Sequence, residues 1–246
     1  EYRGLPLRDL YREEYPIQST SYAFDETTRH FWNNDADNPY DYNPDKPFEW
    51  LRADVVGGRS LLWARQSYRW SDLDFEANLK DGHGIDWPIR YADIAPWYSH
   101  VEKFAGINGK SEGLPQLPDS EFQKPMPWFA LEKTIQGRLR KKAPDITLTN
   151  ARIAVLTEDL PGRSACHYCG PCHRGCSTGS YFISQSSTLP AARATGNLTL
   201  VANAVVERLE YEPGSGKIAR VHVIDSQSRE RRAYSARLFF LCASTV

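Results

Sequence analysis

What the 246-residue sequence lacks narrows its possible roles first. No run of apolar residues approaches the length of a bilayer-spanning helix. The opening EYRGLPLRDL does not show the basic, apolar and small-residue order of a secretory signal. Neither sign of charge is in excess, with 30 Lys and Arg against 31 Asp and Glu. The basic residues gather into no stripe or polybasic tract, which argues against nucleic acid or an anionic membrane surface as the partner. No internal repeat appears, which excludes a solenoid or propeller. A strand–G-x-G-x-x-G–helix unit, the usual dinucleotide fingerprint, is also missing. Cysteine is sparse except in one loop, where four of the five fall between Cys166 and Cys176.

What is present is a globular composition, 41% hydrophobic and 25% charged, with chain enough for one large domain or two ordinary ones. Aromatic residues are plentiful, a richness that suits a carbohydrate site but is expected mainly in cores. The first fifty or so residues show little periodicity, and NNDADNPYDYNPDKPF reads as a long surface excursion. In RADVVGGRSLLWARQSYRW, adjacent Gly57 and Gly58 precede a helix-compatible run and would let backbone amides approach a phosphate.

DWPIRYADIAPWYSHVEKFAGING predicts a helix with Ile94, Trp97, Tyr98, Val101 and Phe104 on a core-facing stripe. Pro96 is expected in its first turn and Gly106 at its end. A Pro-rich loop over 108–130 leads to a second amphipathic helix, LEKTIQGRLRKKA, and ITLTNARIAVL predicts one or two strands. STLPAARATG predicts a short helix closed by Gly196. Beyond it, NLTLVANAVVERLEYE, the turn PGSGK and IARVHVID predict an antiparallel meander, and ARLFFLCASTV a buried interior strand. A chain that opens in a polar stretch and stops on such a strand reads as an internal fragment.

Cys166, Cys169, Cys172 and Cys176 follow C-x2-C-x2-C-x3-C spacing, that of a bacterial ferredoxin run, with Gly170 and Gly175 placed for tight turns. Ser177 stands where that run has Pro. An iron–sulfur cluster, zinc, disulfides and free thiols all stay open for this loop, although zinc knuckles are usually further apart and bridges this close are strained. His167 and His173 are outside candidates for metal ligation. Taken alone, the loop would also suit a ferredoxin-like electron carrier or a zinc-stabilised binding domain.

The ordered blocks Gly57-Gly58-Arg59-Ser60 with Trp63, DWPIRYADIAPWYSHVEKF, the cysteine loop, STLPAARATGNLTLVANAVVERLEY and ARLFFLCAS resemble the glucose–methanol–choline (GMC) family of FAD-dependent oxidoreductases. The resemblance is to the branch of sugar dehydrogenases with cysteine-rich insertions, and it runs from about Val55 to the end of the chain. It implies FAD, with the pyrophosphate met by Gly57, Gly58 and Ser60, Trp63 near the flavin ring, Val206 at the adenine and Ala243 under the dinucleotide. Arg59 and Trp63 depart from the family's small residue and its Asn or His, and Ser244 stands where Gly is usual. Arg52 is a further phosphate candidate.

The family's catalytic histidine has no counterpart here. None of His30, His83, His100, His167, His173 or His222 stands in a matching context, so the base is expected outside this chain and the fragment alone is expected to be inactive. The resemblance also favours an iron–sulfur cluster on Cys166, Cys169, Cys172 and Cys176, passing electrons from flavin to a cytochrome or small-subunit acceptor.

The expected fold is therefore α/β (α+β). It comprises part of an FAD/NAD(P)-binding Rossmann-like domain with an antiparallel meander, plus part of a helical, loop-rich substrate domain. Residues 1–65 are expected in the FAD-binding part, 66–160 in the substrate or cap region, 161–196 in the cysteine-rich loop and its helix, and 197–246 back in the FAD-binding part. The expected function is hydride transfer from a CH–OH group of a sugar or related alcohol to flavin N5. The cellular compartment, periplasm or cytoplasm of a bacterium, is left open.

Overall fold

The structure is a computed structural model that describes residues 11–243. Regular elements form in it where the local signals are strongest. Ser71 starts α1 (Asp72–Phe75): its hydroxyl accepts the Leu73 N–H at 3.2 Å, and the Asp74 carboxylate accepts the Ser71 N–H at 2.8 Å. The short α2 (Ala77–Asp81) ends at Gly82 in the left-handed region. Helix α3 (Tyr91–Ala105) closes at Gly106 with φ 76°, where a Cβ would lie 2.0 Å from Leu156 Cδ2. Helices α4 (Ala130–Lys142) and α5 (Thr188–Ala194) fall where the periodicity and Gly196 place them. Among the described residues no helix is long and apolar enough to cross a membrane.

Two expectations about α3 are corrected. Pro96 lies in its second turn, where the missing N–H leaves the Ala92 carbonyl without its helical donor. The stripe expected in the core is open: Trp97 and Val101 are 68% and 58% exposed, while Glu102 and Ala105 are buried. Glu102 turns inward because Arg69 is there. The Arg69 Nη2 sits 2.6 Å from Glu102 Oε2, and the same guanidinium donates to Tyr91 Oη, Ser99 Oγ and Ser120 Oγ. A buried charge needs this kind of full satisfaction, and the pair thereby decides which face of α3 packs.

The chain divides into two units, Glu1–Thr195 and Gly196–Val246. In the first, ITLTNARIAVL forms isolated bridges in place of strands: Ile153 pairs with Gln66 and with Asn108, and Val155 with Tyr181. Loop and helix-end carbonyls of this unit are met by buried arginines. Arg152 donates to the carbonyls of Pro118 and Leu117, and Arg163 to those of Gly179, Ala105 and Ser180. The unit holds three apolar clusters, centred on Phe24 and Trp32, on Ile107 and Ala154, and on Val155, Tyr181 and Ile183.

The second unit holds the expected antiparallel strands on either side of PGSGK, β1 (Ala204–Glu212) and β2 (Lys217–Asp225), and a third strand that was not expected, β3 (Arg231–Tyr234), antiparallel to β2. Pairing shifts between Val206 and Arg208, a bulge at Glu207. The buried strand expected at the end of the chain is a correction. Leu238, Phe240 and Leu241 lie outside any strand, with Phe240 81% exposed. An interior strand needs neighbours on both edges and cover on both faces, and the three-stranded sheet of this unit pairs with none of these residues. The mixed helix-and-sheet character stands, while the described residues form no parallel Rossmann-like sheet.

Candidate cofactor site

The double glycine makes the tight turn that its sequence calls for. Gly57 has φ 96° and Gly58 φ 49°, both in the left-handed region where a Cβ is strained. The Gly58 N–H donates to Val55 O at 2.8 Å and the Ser60 N–H to Gly57 O at 3.1 Å. Ser60 Oγ donates to Gly57 O at 2.6 Å and accepts the Ser184 N–H at 3.1 Å. Gly58 and Ser60 thus use their own donors to shape the turn. Among the described residues no acceptor faces the N–H of Gly57 or of Arg59. Space beside Gly58 is open, since a Cβ there would meet no atom within 4 Å, whereas the Gln185 carboxamide packs against Gly57, 2.5 Å from where a Cβ would lie. Unpaired donors beside open space fit a phosphate-bearing cofactor. Arg52 does not join them: it pairs with Asp35 at 2.7 Å and stacks over Tyr40 and Trp50.

Trp63 is fixed a few residues further on. Its Nε1 donates to Phe182 O at 3.0 Å, its ring meets Phe182 edge-on, and it packs against both the Ile107 and the Tyr181 clusters. Tyr181 Oη shares its proton between Leu61 O at 3.1 Å and Trp63 O at 2.9 Å. Above the Tyr181 ring lies the Arg65 guanidinium, 4.4 Å from the centroid, on a backbone with φ 64°. The segment after the cysteine loop therefore holds the glycine turn and Trp63 in place. Sequence reasoning missed Tyr181, Arg65 and Arg163, because each is a single residue in an aperiodic stretch whose partners are distant in the chain.

The cysteine loop folds as tightly as its glycines allow, with Gly170 at φ 96°, Gly175 at φ 116° and a 3-10 turn over Cys172–Arg174. His173 Nε2 lies 2.8 Å from Asp25 Oδ2 and ties the loop to the first segment of the chain. All five cysteines are free thiols. Cys166 Sγ accepts the Tyr168 N–H at 3.3 Å, and Cys176 Sγ accepts the Tyr181 N–H at 3.5 Å. Burial works to raise the Cys176 thiol, but the Thr178 hydroxyl and the N–H groups of Tyr181, Thr178 and Ser180 outweigh it and hold it below the ordinary thiol range. Burial pushes Cys172 up against the pull of Arg65, with Cys166, Cys169 and Cys176 near enough to add to the rise.

The four thiols are thus neighbours. Even so, among the described residues no three or more Cys, His, Asp or Glu side chains are grouped to hold a metal ion. The thiols of the loop are not arranged to hold the expected iron–sulfur cluster, or zinc. The sulfurs of Cys166 and Cys176 are turned to backbone donors and to the Tyr181 cluster.

In the second unit, Val206 lies on β1 opposite Val223 and is half-exposed beside the bulge. Ala243 is exposed and outside any strand. Ser244 lies outside the described residues.

A mixed fold with a glycine turn of this kind agrees with one protein class. Residues 43–246 match the family model described as GMC oxidoreductase, and the chain belongs to that family. It is 27% identical over 196 residues to a 2-methyl-1,2-propanediol dehydrogenase of Mycolicibacterium austroafricanum, covering 78% of this chain and 34% of that one. It is 23% identical over 194 residues to a fructose dehydrogenase large subunit of Gluconobacter japonicus, covering 78% and 35%. With a paromamine 6'-oxidase of Streptomyces fradiae it shares 26% over 207 residues, 82% and 36% of the two chains. The chain spans about a third of the length of the curated relatives it matches.

Proposed function

We propose that this chain is a cofactor-holding part of an FAD-dependent oxidoreductase that oxidises a CH–OH group of a sugar or related alcohol. What a bound flavin supplies is an acceptor for the hydride leaving that carbon. The chain's own residues bind and orient. The N–H groups of Gly57 and Arg59 meet the pyrophosphate, and Ser60 keeps the turn closed through Gly57 O and Ser184. Trp63, locked by Phe182 O, presents a fixed wall to the ring system. Val206 and Ala243 supply backbone edges for the adenine half. No proton acceptor for the substrate hydroxyl is assigned among the six histidines: His173 is held by Asp25, His222 by Glu210, and His30 stacks on Phe31. An iron–sulfur relay does not enter the proposal, because the thiols are not gathered for one.

The observation that carries this is the glycine turn with unpaired donors and open space, lying within the residues that match the GMC oxidoreductases. The names of the relatives, two dehydrogenases and an oxidase of alcohol- or sugar-bearing compounds, support the substrate class. The oxidoreductase that contains this chain, mixed anaerobically with a panel of sugars and diols, is expected to lose its flavin colour with at least one of them. A protein that carries flavin and is bleached by dithionite but by none of a broad panel contradicts the substrate class. A colourless protein contradicts the flavin.

A further inference from the structure

Trp128 lines two cavities of the first unit, of about 310 and 240 Å³. Met126, Pro127 and Asn150 are also common to the two, so they adjoin as one cleft. Nothing in the glycine turn, the cysteine loop or the flavin reading uses it.

The larger compartment is cationic. Lys110, Lys133, Gln136 and Arg140 line it and no carboxylate does. Lys133, Gln136 and Arg140 project from α4 at i, i+3 and i+7, the spacing that puts them on one face. Lys110 is already paired with Glu112 at 3.0 Å, whereas Lys133 and Arg140 have no carboxylate partner among the described residues. Two uncompensated cations thus face an acid-free hollow.

The smaller compartment has apolar walls, Phe129, Leu148 and Ile153, and the amides of Asn108 and Asn150. Asn108 is 1% exposed; its Nδ2 donates to Val155 O at 2.6 Å, and its Oδ1 has no partner. A buried amide oxygen left this way calls for a donor such as a hydroxyl. Glu132, the one acid lining this side, is engaged at the start of α4, where its carboxylate accepts the Phe129 N–H at 2.7 Å.

We infer that this cleft binds a sugar ring that carries an anionic group, carboxylate or phosphate. The indole of Trp128 takes the apolar face of the ring, Asn108 and Asn150 meet its hydroxyls, and Lys133 and Arg140 take the anion. The volumes are those of small-molecule sites and far below what a protein partner's footprint needs. The inference goes beyond the flavin reading and stands without it, because binding is read separately from flavin content.

Titration of the purified protein, followed by tryptophan fluorescence and by calorimetry, tests it with glucuronate, glucose 6-phosphate, glucose and inorganic phosphate. At least one anionic sugar is expected to bind roughly tenfold or more tighter than glucose and than phosphate alone, and more weakly as salt rises. Lys133→Gln with Arg140→Gln is expected to erase the preference over glucose, each cation contributing roughly tenfold. Both side chains are exposed, so the fold should hold, and the single Lys133→Glu variant gives an independent reading with a larger loss. Lys141→Gln, on the same helix but lining neither cavity, is expected to change nothing. Failure of both anionic sugars to bind, equal binding of glucose or of phosphate alone, or full affinity in the double variant each overturns the inference.

Discussion

At the scale of single residues, buried guanidinium groups do much of the work of holding the first unit together. Arg69, Arg152 and Arg163 are 4%, 1% and 6% exposed, and each binds segments that share no regular element. Arg69 illustrates the consequence. Removing its partner by Glu102→Gln leaves a buried cation short of its counter-charge and is expected to destabilise the protein by about 3–5 kcal/mol. An Arg69→Met, Glu102→Leu double variant should lose markedly less than the sum of the single variants. Urea unfolding of the four proteins checks this, and additive losses would show that the pair is uncoupled. Gly106→Ala should be costly too, by about 2 kcal/mol or more in a thermal melt, because both φ and the Leu156 contact oppose a Cβ. Gly106 as a helix end and Gly57-Gly58 as a tight turn were both legible in the sequence, since only glycine fits such backbone freely. The inward turn of Glu102 was not. A charged residue between Val101 and Phe104 reads as solvent-facing until Arg69, far away in the chain, is brought beside it.

Elements followed their local chemistry and departed from expectation where neighbours decide. Helices α3, α4 and α5 and the β1–β2 pair were legible from periodicity, from Gly106 and Gly196 as stops, and from alternation across the PGSGK turn, whereas β3 lies in a polar, Arg-rich stretch that does not read as a strand. The Ser71 cap of α1 is equally local, and Ser71→Ala is expected to cost about 1 kcal/mol in the same unfolding assay. ITLTNARIAVL and LFFLC have strand-like residues, yet pairing is a property of the partner strands, so bridges form at Ile153 and Val155 and no strand at Phe240. The cysteine loop shows the same limit. Its turns at Gly170 and Gly175 could be read from residue type, but the directions of the Cys166 and Cys176 sulfurs depend on Tyr168, Thr178 and Tyr181. If those thiols are free as seen here, protein denatured without reductant should titrate with a thiol reagent at all five cysteines. A shortfall of two or four would reveal bridges.

For the molecule as a whole, the family is established by a match over 43–246, while the flavin, the sugar or alcohol substrate and the separate acidic-sugar cleft are proposals at increasing distance from it. The glycine turn and Trp63 lie in the first unit. The turn has unpaired N–H groups and open space beside Gly58, features that suit it to a phosphate. The most direct measurement is the amount of FAD released when the purified protein is denatured, compared with a Gly58→Val variant whose side chain would project into that open space. An equimolar amount from the wild type and little from a variant that still melts cooperatively is the predicted result. No FAD in the wild type, or the same amount in both, would contradict it.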